Sequence, residues 1–252
     1  MSMLDEAIRK AADVLRGARH AVAFTGAGIS TPSGIPDFRS KNTGLWETSN
    51  PMEVASIRVF QSHPERFYNW LRPLMRVSLG AGPNPAHNAL AQLEEAGVIK
   101  AVITQNIDDL HTRAGSKNVY EVHGSVRTLT CPQCHKTHPA ESFTQQILED
   151  AEMPRCSHCG RVMKPDIVLF GEMLPVDVWQ AAEEHCLQAD AMLVIGSSLE
   201  VWPAAGLPQI AIEHGAPLII NNLSPTPLDR MAAVLLPHDV ADVMPKIAGY
   251  LL

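Results

Sequence analysis

Four of the five cysteines fall into two pairs, Cys131-x-x-Cys134 and Cys156-x-x-Cys159. Each such turn sets two sulfurs on one side of the chain, and two turns joined by a short spacer supply the four thiolates of a tetrahedral zinc site. Four protein ligands leave no position for water or substrate, so a metal held there is structural. A redox pair would need only one such turn, and His135, His138 and His158 lie close enough to compete as ligands. A disulfide framework would be denser and spread along a small domain. Cys186 stands within a helical pattern over 176–189 and reads as a small buried apolar residue.

A second group of residues gathers where apolar runs end. Gly26-Ala27-Gly28-Ile29-Ser30 follows one such run, the position at which backbone N–H groups meet a dinucleotide pyrophosphate. Thr31 occupies the place of the third glycine in the GxGxxG fingerprint, which disfavours an ordinary hydride-transfer dehydrogenase. The next stretch carries two prolines and then Asp37, Phe38 and Arg39, an acid, an aromatic and a base in succession. Arg39 suits bidentate phosphate binding and Phe38 suits shielding of a reactive centre, although an exposed turn with a chance charge pair reads the same way. Gln105-Asn106-Ile107-Asp108, Gly196-Ser197-Ser198 and Asn222 close three further runs with polar groups. One shared ligand explains that repetition better than separate coincidences. His123-Gly124 follows the run Val119 to Val122, and an imidazole there suits proton abstraction near neutral pH. Most histidines in a chain with eleven are structural, and His20, His63, His87, His111, His185, His214 and His238 read as surface or packing residues.

These groups need elements to hold them. Leu4, Ile8, Ala11 and Leu15 predict a helix over 3–17, and His20 to Thr25 a strand. Asn84-Pro85 opens a helix over 85–96, ended by Gly97, and Val98 to Thr104 is the next strand. Brief apolar runs return at Ile167 to Phe170, Ala191 to Ile195 and Pro217 to Asn221, with helical patterns at 176–189 and 203–214 between them. Apolar strands alternating with amphipathic helices predict an α/β fold with a parallel sheet covered on both faces. Segment 40–80, bulky but without strand alternation, and segment 126–163, with the cysteines, interrupt the alternation. The expected division is a Rossmann-like domain from 1–39, 81–125 and 164–252, and a smaller domain from 40–80 and 126–163.

Composition narrows the function classes. Twenty Lys plus Arg against 27 Asp plus Glu give a formal charge of −7, which argues against nucleic-acid binding through bulk charge. A hydrophobic content of 46% excludes disorder, and no apolar run approaches the roughly 20 residues of a membrane span. The polar start shows no signal peptide. A soluble, cytoplasmic monomer without membrane or nucleic-acid partners is expected.

Taken in order along the chain, Gly26-Ala27-Gly28-Ile29-Ser30, Gly34-Ile35-Pro36-Asp37-Phe38-Arg39, Thr104-Gln105-Asn106-Ile107-Asp108, His123-Gly124, the two CxxC pairs, Phe170-Gly171-Glu172 and Gly196-Ser197-Ser198 resemble the sirtuins, a family of NAD-dependent protein deacylases. The resemblance runs from about residue 20 to 225 and implies a Rossmann-like domain and a smaller zinc-bearing one, with NAD and an acetyl-lysine protein substrate in the cleft between them. It makes His123 the general base and puts Asn106 and Asp108 at the nicotinamide pocket. NAD would touch Gly26, Ala27, Gly28, Ile29, Asp37, Phe38 and Arg39 on the first loop and Gln105, Asn106, Ile107, Asp108 and His123 beside it. Gly196, Ser197, Ser198, Asn222, Leu223 and Ser224 would complete that contact. Val168, Phe170, Gly171, Glu172 and Val201 would border the peptide, and Cys131, Cys134, Cys156 and Cys159 would hold one structural zinc ion.

In the implied reaction the acyl oxygen attacks C1′ of the nicotinamide ribose and expels nicotinamide. His123 then helps a ribose hydroxyl attack the resulting imidate, and water completes the formation of lysine and O-acetyl-ADP-ribose. Members that remove succinyl or malonyl groups carry Tyr-x-x-Arg; here Tyr68 and Arg72 are four apart with Leu71 at the arginine position, which favours neutral, short acyl groups. Trp202 replaces a common tyrosine beside the peptide. Transfer of ADP-ribose to protein, a dehydrogenase, and a zinc-ribbon binding module are the competing readings.

Overall fold

The computed structural model describes residues 2–37, 44–45 and 50–252. Helix α1 (Met3–Gly17) starts at Ser2, whose hydroxyl accepts from the Asp5 amide while Asp5 returns the bond in a capping box. Its Ile8, Ala11, Ala12 and Leu15 are buried, as the spacing requires. The chain then enters β1 (Ala21–Thr25), with all five residues buried. Apolar side chains on both faces of a strand are the mark of a sheet covered on both sides.

Beyond β1 the chain builds the sheet outward in one direction through β2 (Ile99–Thr104) and β3 (Val119–Glu121). It later returns to the other flank of β1 through strands Ala191–Ile195, Leu218–Asn221 and Ala232–Leu236. Every pairing in this six-stranded sheet is parallel. The reversal of direction beside β1 creates a crevice at the carboxyl ends of three adjacent strands, the place where open α/β sheets take ligands.

Between the two halves comes a three-stranded antiparallel sheet, β4 (Gly124–Thr130), β5 (Thr137–Pro139) and β6 (Lys164–Ile167), in the order β5-β4-β6. The later strands of the parallel sheet are therefore β7 (Ala191–Ile195), β8 (Leu218–Asn221) and β9 (Ala232–Leu236). The run Ile167 to Phe170, which the apolar alternation puts with the parallel strands, is not one of them. Ile167 ends β6, and the following residues leave it as a wall of the cleft, with Val168 donating its amide to His123 O (2.8 Å). Four apolar residues do not by themselves tell a buried parallel strand from a short antiparallel one.

Helix α2 (Pro51–Val54) packs against α3 (Ile57–Ser62) and α4 (Pro64–Gly80), and those two helices pack on the small sheet. Phe60, Phe67 and Tyr68 meet edge to face and share one core with Leu129, Ile147, Met163 and Leu169. The parallel sheet is covered by α5 (Pro85–Glu95), by α6 (Leu110–Ala114) beside β2 and, past α7 (Thr144–Leu148) of the small region, by α8 (Val176–Gln188) and α9 (Leu207–Glu213). A last helix, α10 (Val240–Leu251), packs with α1 and α5. The sequence reading missed β9 and α10: β9 is a half-exposed edge strand, and Pro245 interrupts the helical signal. Among the described residues no helix is long and apolar enough to cross a membrane.

Candidate active site

The crevice opens into one cavity of about 1510 Å³ that runs from the ends of β1, β2 and β7 to the residues after β6. That exceeds the roughly 300–1,000 Å³ of an ordinary small-ligand pocket and suits a dinucleotide together with a side chain. Its floor is made by contact between loops. Gly26 donates its amide to Ile195 O and Gly28 to Gly196 O (2.8 Å). A Cβ on Gly28 would lie 2.8 Å from the Gly196 backbone, so this glycine is fixed by the approach of the neighbouring loop. The turn continues as two short 3-10 segments, Ala27–Ile29 and Thr31–Ser33, with Thr31 Oγ1 donating to Gly28 O (3.0 Å).

Behind the floor lies a continuous polar network. Thr25 and Thr104 are register partners at the ends of β1 and β2, so their side chains stand in one row, and Thr25 Oγ1 donates to Thr104 Oγ1 (2.8 Å). Thr104 Oγ1 also accepts the Asn106 amide, and Asn106 Nδ2 donates to Gly26 O and Ser30 Oγ, each at 3.1 Å. Ser30 Oγ in turn donates to Asp108 Oδ2 (2.6 Å), whose other oxygen accepts the Leu110 amide. Burial pushes the Asp108 carboxyl up, with the Ser30 and Leu110 bonds working against it. Since Thr25 gives its proton to Thr104, His111 Nε2, 2.9 Å from Thr25 Oγ1, must be the protonated nitrogen of that ring. His111 packs against His87, and burial drives both rings toward the neutral form, His87 down to about 4.

His123 stands where the parallel sheet passes into the small one, between β3 and β4. Its Nδ1 lies 3.1 Å from Gln105 O; a carbonyl only accepts, so Nδ1 carries the proton and Nε2 keeps its lone pair. Burial pulls its pKa down, and the Gln105 bond offsets part of that. Gln105 Nε2 donates to Ser197 Oγ (2.9 Å), joining the ends of β2 and β7. On the far side, Phe170 donates its amide to Ala55 O and accepts from Ile57 N, both at 3.0 Å.

The four cysteine sulfurs lie within 4.8 Å of one another. Neighbouring pairs are 3.4 Å (Cys131–Cys159), 3.6 Å (Cys134–Cys156) and 3.8 Å (Cys134–Cys159) apart. A tetrahedron of thiolates about 2.3 Å from a zinc ion has edges of about 3.8 Å, so the residues fit one ion. The group closes without a histidine; His138 packs edge-on against Phe143. Cys186 is buried in α8, its thiol pushed up to about 12 by desolvation.

With this geometry in view, residues 26–203 match the Sir2 family. The chain belongs to that family. It is similar to an Archaeoglobus fulgidus protein named NAD-dependent protein deacylase 2, at 48% identity over 245 residues, 97% of this chain and 96% of that one. A Thermotoga maritima NAD-dependent protein deacetylase is 46% identical over 235 residues, 93% of this chain and 94% of the other. A solved Sir2 structure with a deacetylated p53 peptide and 3′-O-acetyl-ADP-ribose superposes with a TM-score of 0.91 at 43% identity, covering 96% of this chain and 97% of that one.

Most residues singled out in the sequence line this Sir2 cavity: Gly26, Ala27, Gly28 and Asp37 on one loop, Gln105 to Asp108 and His123 on the next, and Gly196, Ser197, Ser198, Asn222 and Ser224 opposite. Val168, Phe170, Gly171, Glu172 and Val201 form its outer wall. Two lie elsewhere: the Ile29 side chain is fully buried in the core beside the sheet, and Leu223 is exposed outside the wall. Phe38 and Arg39 fall outside the described residues. Sequence reasoning gave no part in the site to Thr25, to Thr104, to His111 or to Asn84, whose Nδ2 donates to Ile29 O (2.7 Å) and Ser33 Oγ. The available signal was that two neighbouring strands both end in threonine just before their polar turns.

Proposed function

We propose that the chain is an NAD-dependent protein-lysine deacetylase that yields nicotinamide, free lysine and O-acetyl-ADP-ribose. NAD, when bound, supplies an electrophilic ribose carbon and a good leaving group. His123 is the general base: the Gln105 carbonyl holds its proton on Nδ1, and the free Nε2 is left to take one from a ribose hydroxyl. That tautomer is the observation that carries the proposal. Asn106 and Asp108, held by Ser30 and the Thr25–Thr104 pair before any ligand arrives, line the nicotinamide pocket. The loops at Gly26–Gly28, Gly196–Ser198 and Asn222–Ser224 hold the rest of NAD, with Asp37 at its rim.

The peptide adds along Val168–Glu172 and Val201 as an extra strand. Neutral, short acyl groups are favoured because Tyr68 and Arg72, the pair nearest the Tyr-x-x-Arg pattern, are turned elsewhere. Tyr68 OH donates to Met163 O (2.7 Å), Arg72 donates to Ile147 O (2.7 Å) and Ala151 O (2.6 Å), and Leu71 faces the cavity. The zinc ion, enclosed by four thiolates, is structural. Residues 1–39, 81–125 and 164–252 act as the nucleotide-holding unit and 40–80 with 126–163 as the smaller one, except that β6 (Lys164–Ile167) and Leu169 pack with the small sheet and its core. One chain supplies every wall named, which supports action as a monomer, and the charge of −7 argues against direct nucleic-acid binding. Metal-holding thiols suit a reducing compartment, the cytoplasm.

Incubation of the protein with NAD and an acetyl-lysine peptide tests this reading. Nicotinamide should appear one for one with deacetylated peptide, with no reduced-nicotinamide absorbance. Equal nicotinamide release without peptide would shift the assignment to an NAD glycohydrolase or ADP-ribosyltransferase.

A further inference from the structure

We infer that Lys164 is a positioning residue for the acyl-lysine peptide: its ammonium, clipped to Glu172, fixes the backbone of the cleft wall from Ile167 to Glu172. The inference rests on the deacetylase reading above and adds a residue that does not itself line the cavity.

Lys164 opens β6, yet its side chain folds forward along its own strand. Nζ donates to Pro165 O (3.1 Å), Ile167 O (2.7 Å) and Glu172 Oε2 (3.0 Å), which uses all three ammonium donors. The same Glu172 oxygen accepts the Leu169 amide at 2.8 Å. One cation and one carboxylate oxygen thus close the chain from 164 to 172 into a small loop. The side chains are only 16% and 21% exposed, so water competes less for these bonds than at an open surface pair.

What the clip holds follows from the direction of the residues. Ile167 and Leu169 point into the core of the small region, and their carbonyl and amide are the groups the clip captures. Val168 and Phe170 alternate with them, and the amides of these two are tied to His123 O and Ala55 O. The wall is therefore pinned at every residue from 167 to 170, and Lys164 supplies a pin made by a cation. A peptide that binds by strand addition needs an edge of fixed spacing, because a displacement of an ångström breaks more than one main-chain bond.

The test compares Lys164→Met, which keeps the apolar stem, with Lys164→Arg, which keeps the charge. Lys164→Met should raise the KM for acetyl-lysine peptide on the order of 10-fold, leaving the KM for NAD and kcat within about twofold. Lys164→Arg should restore most of the loss, and hydrogen exchange at the 167–172 amides should quicken in Lys164→Met alone. Zinc content and the melting temperature separate this from unfolding. Unchanged peptide KM, or equal losses in both KM values and kcat, would overturn the inference. Wild-type protein that consumes no NAD with the peptide would overturn the functional reading instead, and the clip would fall separately if exchange at 167–172 were also unaltered.

Discussion

The parallel sheet and the small zinc-bearing region are held together in different ways. In the sheet, Phe24, Leu193 and Ile195 are wholly excluded from water, with apolar layers on both faces. Such burial, about 25 cal/mol per Å², is non-directional and survives the loss of any one contact. The small region has strands of seven, three and four residues and takes its aromatic core from α3 and α4. Its cysteine end holds four sulfurs within 4.8 Å with no disulfide among them. Thiolates that close together repel unless a cation lies between them, so that end depends on the metal. The cleft is built from both, and each side lends it a different quality: fixed polar groups from the sheet, a conditional wall from the small region.

Removing the metal breaks that comparison most directly. Structural zinc sites carry apparent binding energies of about 10–16 kcal/mol, much of it folding energy. Cys156→Ser should therefore lose zinc and render 124–167 sensitive to protease, while fragments containing β1, β7 and β8 stay resistant. A zinc-free variant as resistant as the wild type would remove the distinction. His123→Ala acts at the junction of the two regions and should lower kcat/KM by about 10²–10⁴. Calorimetry should find NAD affinity changed by no more than a few-fold, because the loops that hold it belong to the sheet; undiminished turnover would withdraw the base assignment.

The smallest effect concerns the sheet side alone. Unfolded, His87 takes up a proton near its ordinary 6.5; folded, it resists until about 4. Between those values the unfolded chain binds more protons, so stability is full above 6.5 and declines as pH falls, by on the order of 3 kcal/mol at the lower end. Urea midpoints measured at pH 7 and pH 5 should differ less in His87→Gln than in the wild type. Equal differences would mean that His87 does not titrate as its burial implies.

Much of this was legible in the sequence for identifiable reasons. Helix α1 announces itself through Leu4, Ile8, Ala11 and Leu15, and the metal site through the spacing of its cysteines, because both signals are local. The polar strand ends at Gly26, Gln105 and Gly196 were equally plain, and parallel pairing brings them together. What escaped depended on tertiary context. Ile167 to Phe170 looks like a core strand until its partners are known, and the roles of Thr25, Thr104 and His111 exist only because two strands lie side by side. Lys164 is a lone cation in the sequence; only the fold returns Glu172 to it.

The residue after His123 has a consequence of its own. Gly124 has φ of +77°, and a methyl in place of its hydrogen would come within 2.1 Å of Asp166 O. His123 is moored on one side to Gln105 and on the other, through its own carbonyl, to Val168. The seam between the two halves is thus a weld one hydrogen atom wide with the imidazole riding on it. A graft that exchanges the metal-bearing half for a foreign one must carry this glycine across, or it will misaim the His123 imidazole even when both halves fold.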